Sequence, residues 1–152
     1  MDRVDRALLS LPVLALLDVA STFLMESLGY QLAVYEVGYF ARFFVRAQLA
    51  YVYAVLYLVL VACFAWVLWY IKNRVLKPSN VADKVLFVLI VCGVCYMCAL
   101  LVTTVAGNLM LPLILRGGIN LFYWSVWWFV ATLGTLAFYL RLDVIRYLRF
   151  KR

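Results

Sequence analysis

Residues 47–71 have the sequence AQLAYVYAVLYLVLVACFAWVLWYI, a stretch without a single charged side chain. An α-helix rises 1.5 Å per residue, so about 20 apolar residues cross the roughly 30 Å hydrocarbon core of a bilayer. The stretch is therefore long enough to span a membrane. It lacks the alternation of a transmembrane barrel strand, and backbone groups in lipid need internal hydrogen bonds, so it predicts a transmembrane helix.

Three further stretches of the same kind lie at about 7–27, 84–107 and 121–140. The chain of 152 residues is 69% hydrophobic and only 14% charged, a surface that no soluble domain of this size could cover with polar groups. We predict an all-α, integral membrane four-helix bundle that forms one domain over residues 1–152. We expect it to be a multi-pass protein of the cell membrane in contact with the lipid bilayer.

Lysine and arginine are distributed unevenly between the two sides of this bundle. Eleven of the fourteen fall on the side of the termini and of the loop 72–84, and the other side has only Arg42, Arg46 and Arg116. The positive-inside rule then predicts that both termini are cytoplasmic. We expect this basic face, with residues 141–152 as an interfacial helix, to attract anionic lipid headgroups. Nucleic acid is not an expected partner, because no recognition fold accompanies the charge.

Two segments on the other side are too apolar for solvated loops. Residues 28–46 mix aromatic and charged side chains, which predicts an interfacial or re-entrant segment. Residues 107–120, GNLMLPLILRGGIN, contain three glycines and a proline, and we expect Gly107, Pro112, Gly117 and Gly118 to break the helix there. Together the two segments would cap the bundle and form a concavity for a ligand.

Asp18 is an acid in the middle of the first apolar stretch, within LLDVASTFLMES at residues 16–27. An isolated carboxylate at such depth costs about 3 kcal/mol, so it should face the bundle, be protonated or find a donor. Thr22 and Glu26 follow at helical spacings of four and eight and share its face. The same acid interrupts the place where a signal peptide would be apolar, so we expect this stretch to be retained as a helix.

Other polar residues could complete a site around Asp18. The strongest candidates are Glu36, Arg46 and Asn108, and two interpretations of the set remain open. It is a ligand- or proton-binding site, or it consists of hydrogen bonds that hold helices together at about 1 kcal/mol each. Further candidates for the polar seam are Ser21, Tyr53, Tyr57, Thr104, Ser125, Trp128, Thr132 and Thr135.

Residues 16–44, LLDVASTFLMESLGYQLAVYEVGYFARFF, resemble a family of small archaeal and bacterial membrane proteins of unknown function. The family pattern is an Asp, a Thr four residues later, a Gly and then Glu-Asn-Pro. Asp18, Thr22, Gly29 and Glu36 match it, whereas residues 37–38 are Val-Gly in place of Asn-Pro. The resemblance implies about four helices and no established activity.

Residues 17–25, LDVASTFLM, resemble the first helix of the small multidrug resistance transporters. That helix carries an essential acid followed by a Thr and by Leu-Met, and Asp18 occupies the place of the acid, which is Glu in that family. The Tyr/Trp signature of the family's third helix is absent from CGVCYMCALL at residues 92–101. The resemblance implies a proton-linked carrier.

The cysteines Cys92, Cys95 and Cys98 have a spacing that is also found in redox and metal sites. On a straight helix a residue six positions further along, as Cys98 is from Cys92, lies about 240° around the axis. The three thiols therefore cannot bind one metal ion. The dithiol resembles that of vitamin K epoxide reductase-like proteins, which need a second cysteine pair in an outer loop. No such pair exists here, so thiol redox is a distant alternative and packing the expected role.

The chain has no histidine and no phosphate-binding glycine loop, and Asp18 is the one acid at depth. We therefore expect that the protein is not an enzyme and that it has no catalytic residue, metal site or cofactor. The leading hypothesis is a ligand- or proton-linked carrier that uses Asp18. The alternative is a non-catalytic accessory or scaffold subunit of a larger membrane complex. Because four short helices bury little surface, a homodimer or a larger complex is expected in either case.

Overall fold

The computed structural model describes residues 2–30, 49–77 and 80–149. The described part contains four α-helices and no strand: α1 (Arg3–Ser27), α2 (Ala50–Tyr70), α3 (Val81–Arg116) and α4 (Leu121–Arg149). One π-helical turn, Ile71–Val75, extends α2. Each of the four is long and apolar enough to cross a membrane, so the protein is a membrane protein whose described part is helical.

The helices lie in the spatial order α2, α1, α3, α4, with α1 and α3 packed against each other in the middle. α1 and α3 run parallel, because Ala7 lies beside Cys98 and Ser21, further along α1, lies beside Asn108. The backbone N–H of Arg3 donates to Asp143 at 2.8 Å, which joins the start of α1 to the end region of α4. We call this end, which contains the start of α1 and the end of α4, the terminal end of the bundle. The opposite end, where α1 stops and α4 begins, is called the distal end.

The buried core lies mainly between α1 and α3 in the half nearer the terminal end. At that end the rings of Phe87 and Tyr147 stack at 3.9 Å and join α3 to α4. Large apolar side chains cover the outside of the bundle, including Trp127 on α4, which is 76% exposed. Such a surface is suited to lipid rather than to water. The largest of the fully buried side chains are Val4, Leu8, Leu11, Phe87, Val94, Ile114 and Leu140.

The helix break predicted at Gly107 and Pro112 is wrong, because α3 continues through both residues to Arg116. Within lipid, unpaired backbone groups are so costly that a helix is kept across a glycine or proline that would end it in water. The chain turns at Gly117 and Gly118, where the prediction also placed breaks, and the φ of 62° at Gly118 lies in the left-handed region. Asn120 then caps α4 by accepting from the N–H of Phe122 at 2.9 Å.

The other boundaries differ less from the prediction. α1 begins at Arg3 rather than near residue 7, so Pro12 lies inside the helix. α4 runs unbroken to Arg149, in agreement with a helical extension of the fourth span. The predicted interfacial segment 28–46 falls mostly outside the described residues and stays a prediction.

Candidate functional site

Asp18 lies on α1, half-buried, where it contacts both neighbouring helices. Its Oδ2 accepts a hydrogen bond from the hydroxyl of Tyr57 on α2 at 3.1 Å. Its Oδ1 lies 3.5 Å from the amide Nδ2 of Asn108 on α3. The carboxyl group therefore faces the inside of the bundle, as its depth in the first span predicts.

Asn108 connects α3 to three polar residues of α1, which are Asp18, Ser21 and Thr22. Its Nδ2 donates to Thr22 Oγ1 at 2.9 Å and to Ser21 Oγ at 3.0 Å, distances shorter than the contact with Asp18. An amide has two N–H donors, so these two bonds use both of them and the approach to Asp18 is secondary. Asn108 thus ties α3 to α1 while its amide dipole points towards the carboxylate.

The two hydroxyls of α1 are fixed by their own helix. Ser21 and Thr22 donate to the backbone carbonyl of Asp18 at 2.9 and 2.8 Å. Because each hydroxyl proton is committed to that carbonyl, each oxygen can only accept from Asn108. This arrangement determines that the nitrogen of the amide faces α1. We call Asp18, Ser21, Thr22, Tyr57 and Asn108 the Asp18 cluster.

The Asp18 cluster can serve a carboxyl group in either protonation state. A tyrosine hydroxyl donates to a carboxylate and can rotate to accept from a protonated acid, whereas the Asn108 amide keeps the orientation that Ser21 and Thr22 fix. Asp18 can therefore bind a proton and keep its hydrogen bond to Tyr57, and its carboxylate can accept from a ligand that donates hydrogen bonds.

The structure brings three of the six predicted site residues together: Asp18, Thr22 and Asn108. Glu26 is exposed, one turn further along α1. Glu36 and Arg46 lie outside the described residues. Their roles as ligand- or proton-binding residues all stay predictions.

Of the wider polar seam, Tyr57 and Ser21 belong to the cluster. Two threonines that the sequence suggested for the seam are bonded within their own helices instead. Thr104 donates to the carbonyl of Leu101 and Thr135 to that of Ala131, and both are exposed. A face predicted from spacing alone does not tell which of its members reach a neighbouring helix.

A second polar cluster, which was not predicted from the sequence, lies at the terminal end. The ammonium of Lys72 lies 2.8 Å from Asp2 Oδ2 and 2.6 Å from Asp5 Oδ1, and its side chain is only 5% exposed. Asn73 Nδ2 donates to the same Oδ1 of Asp5 at 3.0 Å. We call Asp2, Asp5, Lys72 and Asn73 the terminal cluster.

The two acids of the terminal cluster also cap α1. The N–H of Asp5 donates to Asp2 Oδ1 at 2.8 Å, and the N–H of Asp2 donates back to Asp5 Oδ2 at 3.4 Å. Carboxylates are favoured at this position because the start of a helix carries a partial positive charge. Two acids three residues apart before an apolar stretch signal such a cap. Lys72, one of the eleven basic residues on the side of the termini, is the ion-pair partner of both acids.

The thiols of α3 divide between two environments. Cys95 and Cys98 are buried and Cys92 is exposed. Cys98 Sγ lies 3.9 Å from both the hydroxyl of Ser10 and the carbonyl of Ala7, which places it in the contact between α1 and α3. Within residues 2–30, 49–77 and 80–149, no group of three or more cysteine or acidic side chains could hold a metal ion.

No protein-family model, curated protein or solved structure matches the chain. The two family resemblances of the first helix therefore stay predictions.

Proposed function

We propose that this protein is a small multi-pass carrier of the cell membrane and that it couples ligand binding to protonation at Asp18. One observation carries the proposal: a carboxyl group in the middle of a membrane-spanning helix accepts a hydrogen bond from Tyr57 of a second helix at 3.1 Å and lies 3.5 Å from the amide of Asn108 on a third. Intramembrane acids are costly, so one that is held between helices is a candidate for a binding site.

The positive-inside rule supports an orientation in which the terminal end faces the cytoplasm and the distal end faces outward. A cationic or hydrogen-bonding ligand entering from the distal end would take over the carboxylate from Tyr57 and Asn108. Release of the ligand would return the carboxyl group to a proton and to the same two partners. Glu26, Glu36 and Arg46 are sequence-based candidates for the route towards it.

The test is carboxyl-sensitive infrared difference spectroscopy on the purified protein in lipid, titrated between about pH 5 and pH 9. We expect a C=O band that appears as the pH falls, that moves when a ligand or a proton gradient is added, and that is missing in Asp18→Asn. The variant Glu26→Gln, which removes an exposed acid of the same helix, should leave the band unchanged. A carboxyl signal from Asp18 that stays constant over the whole range contradicts the proposal.

A second candidate function is an accessory subunit of a larger membrane complex. The exposed aromatic surface of α4, with Phe122, Trp127 and Phe138 each more than 60% exposed, favours it, because such a surface fits a helix of another subunit as well as lipid. Asp18→Asn separates the two functions. A carrier loses activity but stays folded, whereas an accessory subunit still co-purifies with its complex.

A further inference from the structure

Three side-chain oxygens of α1 converge on one atom of α3. Thr22 Oγ1 and Ser21 Oγ lie 2.9 and 3.0 Å from the amide Nδ2 of Asn108, and Asp18 Oδ1 lies 3.5 Å from it. Because both hydroxyls donate to a backbone carbonyl, these oxygens and that of an ionised carboxylate present only lone pairs to this position. The amide nitrogen has two N–H groups for three acceptors, so the position has more acceptors than the nitrogen can satisfy.

Oxygens of this kind are the ligands that hard cations prefer in proteins, which include carboxylate and side-chain amide oxygens. A cation that takes the two hydroxyl oxygens removes the hydrogen bonds that fix the amide of Asn108. Rotation of that side chain then turns its carbonyl oxygen, Oδ1, towards the cation as a further ligand. The terminal cluster holds a tethered cation in the same way, because the ammonium of Lys72 lies 2.6, 2.8 and 3.1 Å from oxygens of three side chains.

The charge in the middle of the bundle determines which valence of cation fits. The apolar parts of the four described helices, residues 7–25, 50–70, 85–115 and 121–140, contain one charged side chain, which is Asp18. One positive charge neutralises one carboxylate, as a proton does. A divalent ion would leave a net positive charge in an apolar region where isolated charges are costly. The position therefore suits a monovalent cation.

We propose that the Asp18 cluster binds one Na⁺ ion. The ligands are the carboxylate of Asp18, the hydroxyl oxygens of Ser21 and Thr22 and, after rotation, the Oδ1 of Asn108. The inference rests on the proposed function, in which Asp18 is a binding site, and it names a cation that this site takes. Since Na⁺ and a proton cannot neutralise the same carboxylate together, a carrier with this site exchanges one for the other.

Binding of radioactive Na⁺ to the purified protein tests the proposal at about pH 9, the upper end of the infrared titration. We expect one bound ion per chain, which unlabelled Na⁺ displaces and which choline and Ca²⁺ at equal ionic strength do not. Asp18→Asn should abolish the binding. Na⁺ binding to Asp18→Asn at the level of the unmodified protein overturns the proposal, and so does equal displacement by choline or Ca²⁺.

Thr22 separates a ligand from a residue that only supports the fold. Thr22→Val keeps the shape but loses the oxygen, and it should weaken Na⁺ binding about tenfold or more, because a polar contact to a charged group contributes about 1.5–3 kcal/mol. Thr22→Ser keeps the oxygen and should bind as the unmodified protein does. Thr135→Val removes an exposed hydroxyl of α4 and is the matched control. If Asp18→Asn does not fold, this series decides, and unchanged binding in Thr22→Val overturns the site.

The infrared titration of Asp18, repeated in Na⁺ and in choline, distinguishes failure of this inference from failure of the proposed function. Competition for one carboxylate should lower the pH at which the C=O band appears by about one unit for each tenfold rise in Na⁺ above its dissociation constant. A band that appears at the same pH in both salts overturns the Na⁺ site and leaves the proton link intact. Saturable Na⁺ binding that needs Asp18, without any C=O band down to about pH 5, supports the Na⁺ site and contradicts the proton link.

Discussion

The two polar clusters of the bundle hold a carboxylate in different ways. In the terminal cluster the carboxylate of Asp5 lies 2.6 Å from the ammonium of Lys72, so its partner carries the opposite charge. In the Asp18 cluster the contacts from α2 and α3 come from a hydroxyl at 3.1 Å and an amide at 3.5 Å. The first arrangement holds a fixed ion pair, whereas the tyrosine hydroxyl can donate to a carboxylate or accept from a protonated acid.

The positions of the clusters explain the difference. The terminal cluster lies at the start of α1, where the helix terminus and nearby water stabilise charge. The Asp18 cluster lies in the apolar middle, where an ion is costly and partners that serve both protonation states are favoured. The terminal cluster therefore fixes α1 against α2, and the Asp18 cluster is the place where a change of charge is chemically possible.

The largest effect is expected from breaking the ion pairs of the terminal cluster. Lys72→Met keeps the apolar stem but leaves the carboxylate of Asp5, whose side chain is 11% exposed, without its ammonium. Removing one partner of a buried pair costs about 3 kcal/mol. The free energy of unfolding by sodium dodecyl sulfate in mixed micelles should fall by about that amount.

Lys77→Met is the matched control, because Lys77 is an exposed cation that follows the same helix. It should change the free energy of unfolding by less than about 0.5 kcal/mol. Replacing both charges, in Lys72→Met with Asp5→Leu, should recover part of the loss. If Lys72→Met is no less stable than Lys77→Met, the ion pairs do not hold α1 against α2.

Hydropathy and helical spacing could predict much of this fold. Four apolar stretches gave four helices, because in lipid a helix is the structure that satisfies the backbone within one segment. The meeting of Asp18, Thr22 and Asn108 follows from the same physics, since polar side chains in a membrane span turn towards the bundle.

The terminal cluster could not be predicted from spacing, because Lys72 and Asp5 are 67 residues apart and come together only by packing. A count of basic residues along the sequence does not distinguish an exposed lysine from a buried one. Lys72 is buried because Asp2 and Asp5, at the start of α1, lie beside it. The continuous helix through Pro112 shows a related limit. Glycine and proline, which end helices in water, do not end them within a membrane, where unpaired backbone groups are too costly.

A smaller effect is expected from loosening the Asp18 cluster. Asn108→Leu removes the donors to Ser21 and Thr22 at 3.0 and 2.9 Å and replaces the amide with a side chain of similar size. Hydrogen bonds between membrane helices contribute about 0.6 to 2 kcal/mol, so we expect a loss of about 1 kcal/mol in the same unfolding assay. Thr104→Val, which removes an exposed hydroxyl bonded within α3, should have almost no effect. A loss as large as that of Lys72→Met would contradict the distinction between the clusters.

The smallest effect is expected from Tyr57→Phe, which removes only the hydroxyl that donates to Asp18. The average cost of such a deletion in a membrane protein is about 0.6 kcal/mol, and Tyr51→Phe, at an exposed tyrosine of the same helix, should cost less. A hydrogen bond to a carboxylate is about twice as strong as one to a neutral acid. If Asp18 takes up a proton as the pH falls, the cost of Tyr57→Phe should therefore shrink with it, measured as the difference in unfolding free energy from the unmodified protein at each pH. A cost that is the same at every pH means that Asp18 does not change its charge in that range, and the Asp18 cluster would then be as fixed as the terminal one.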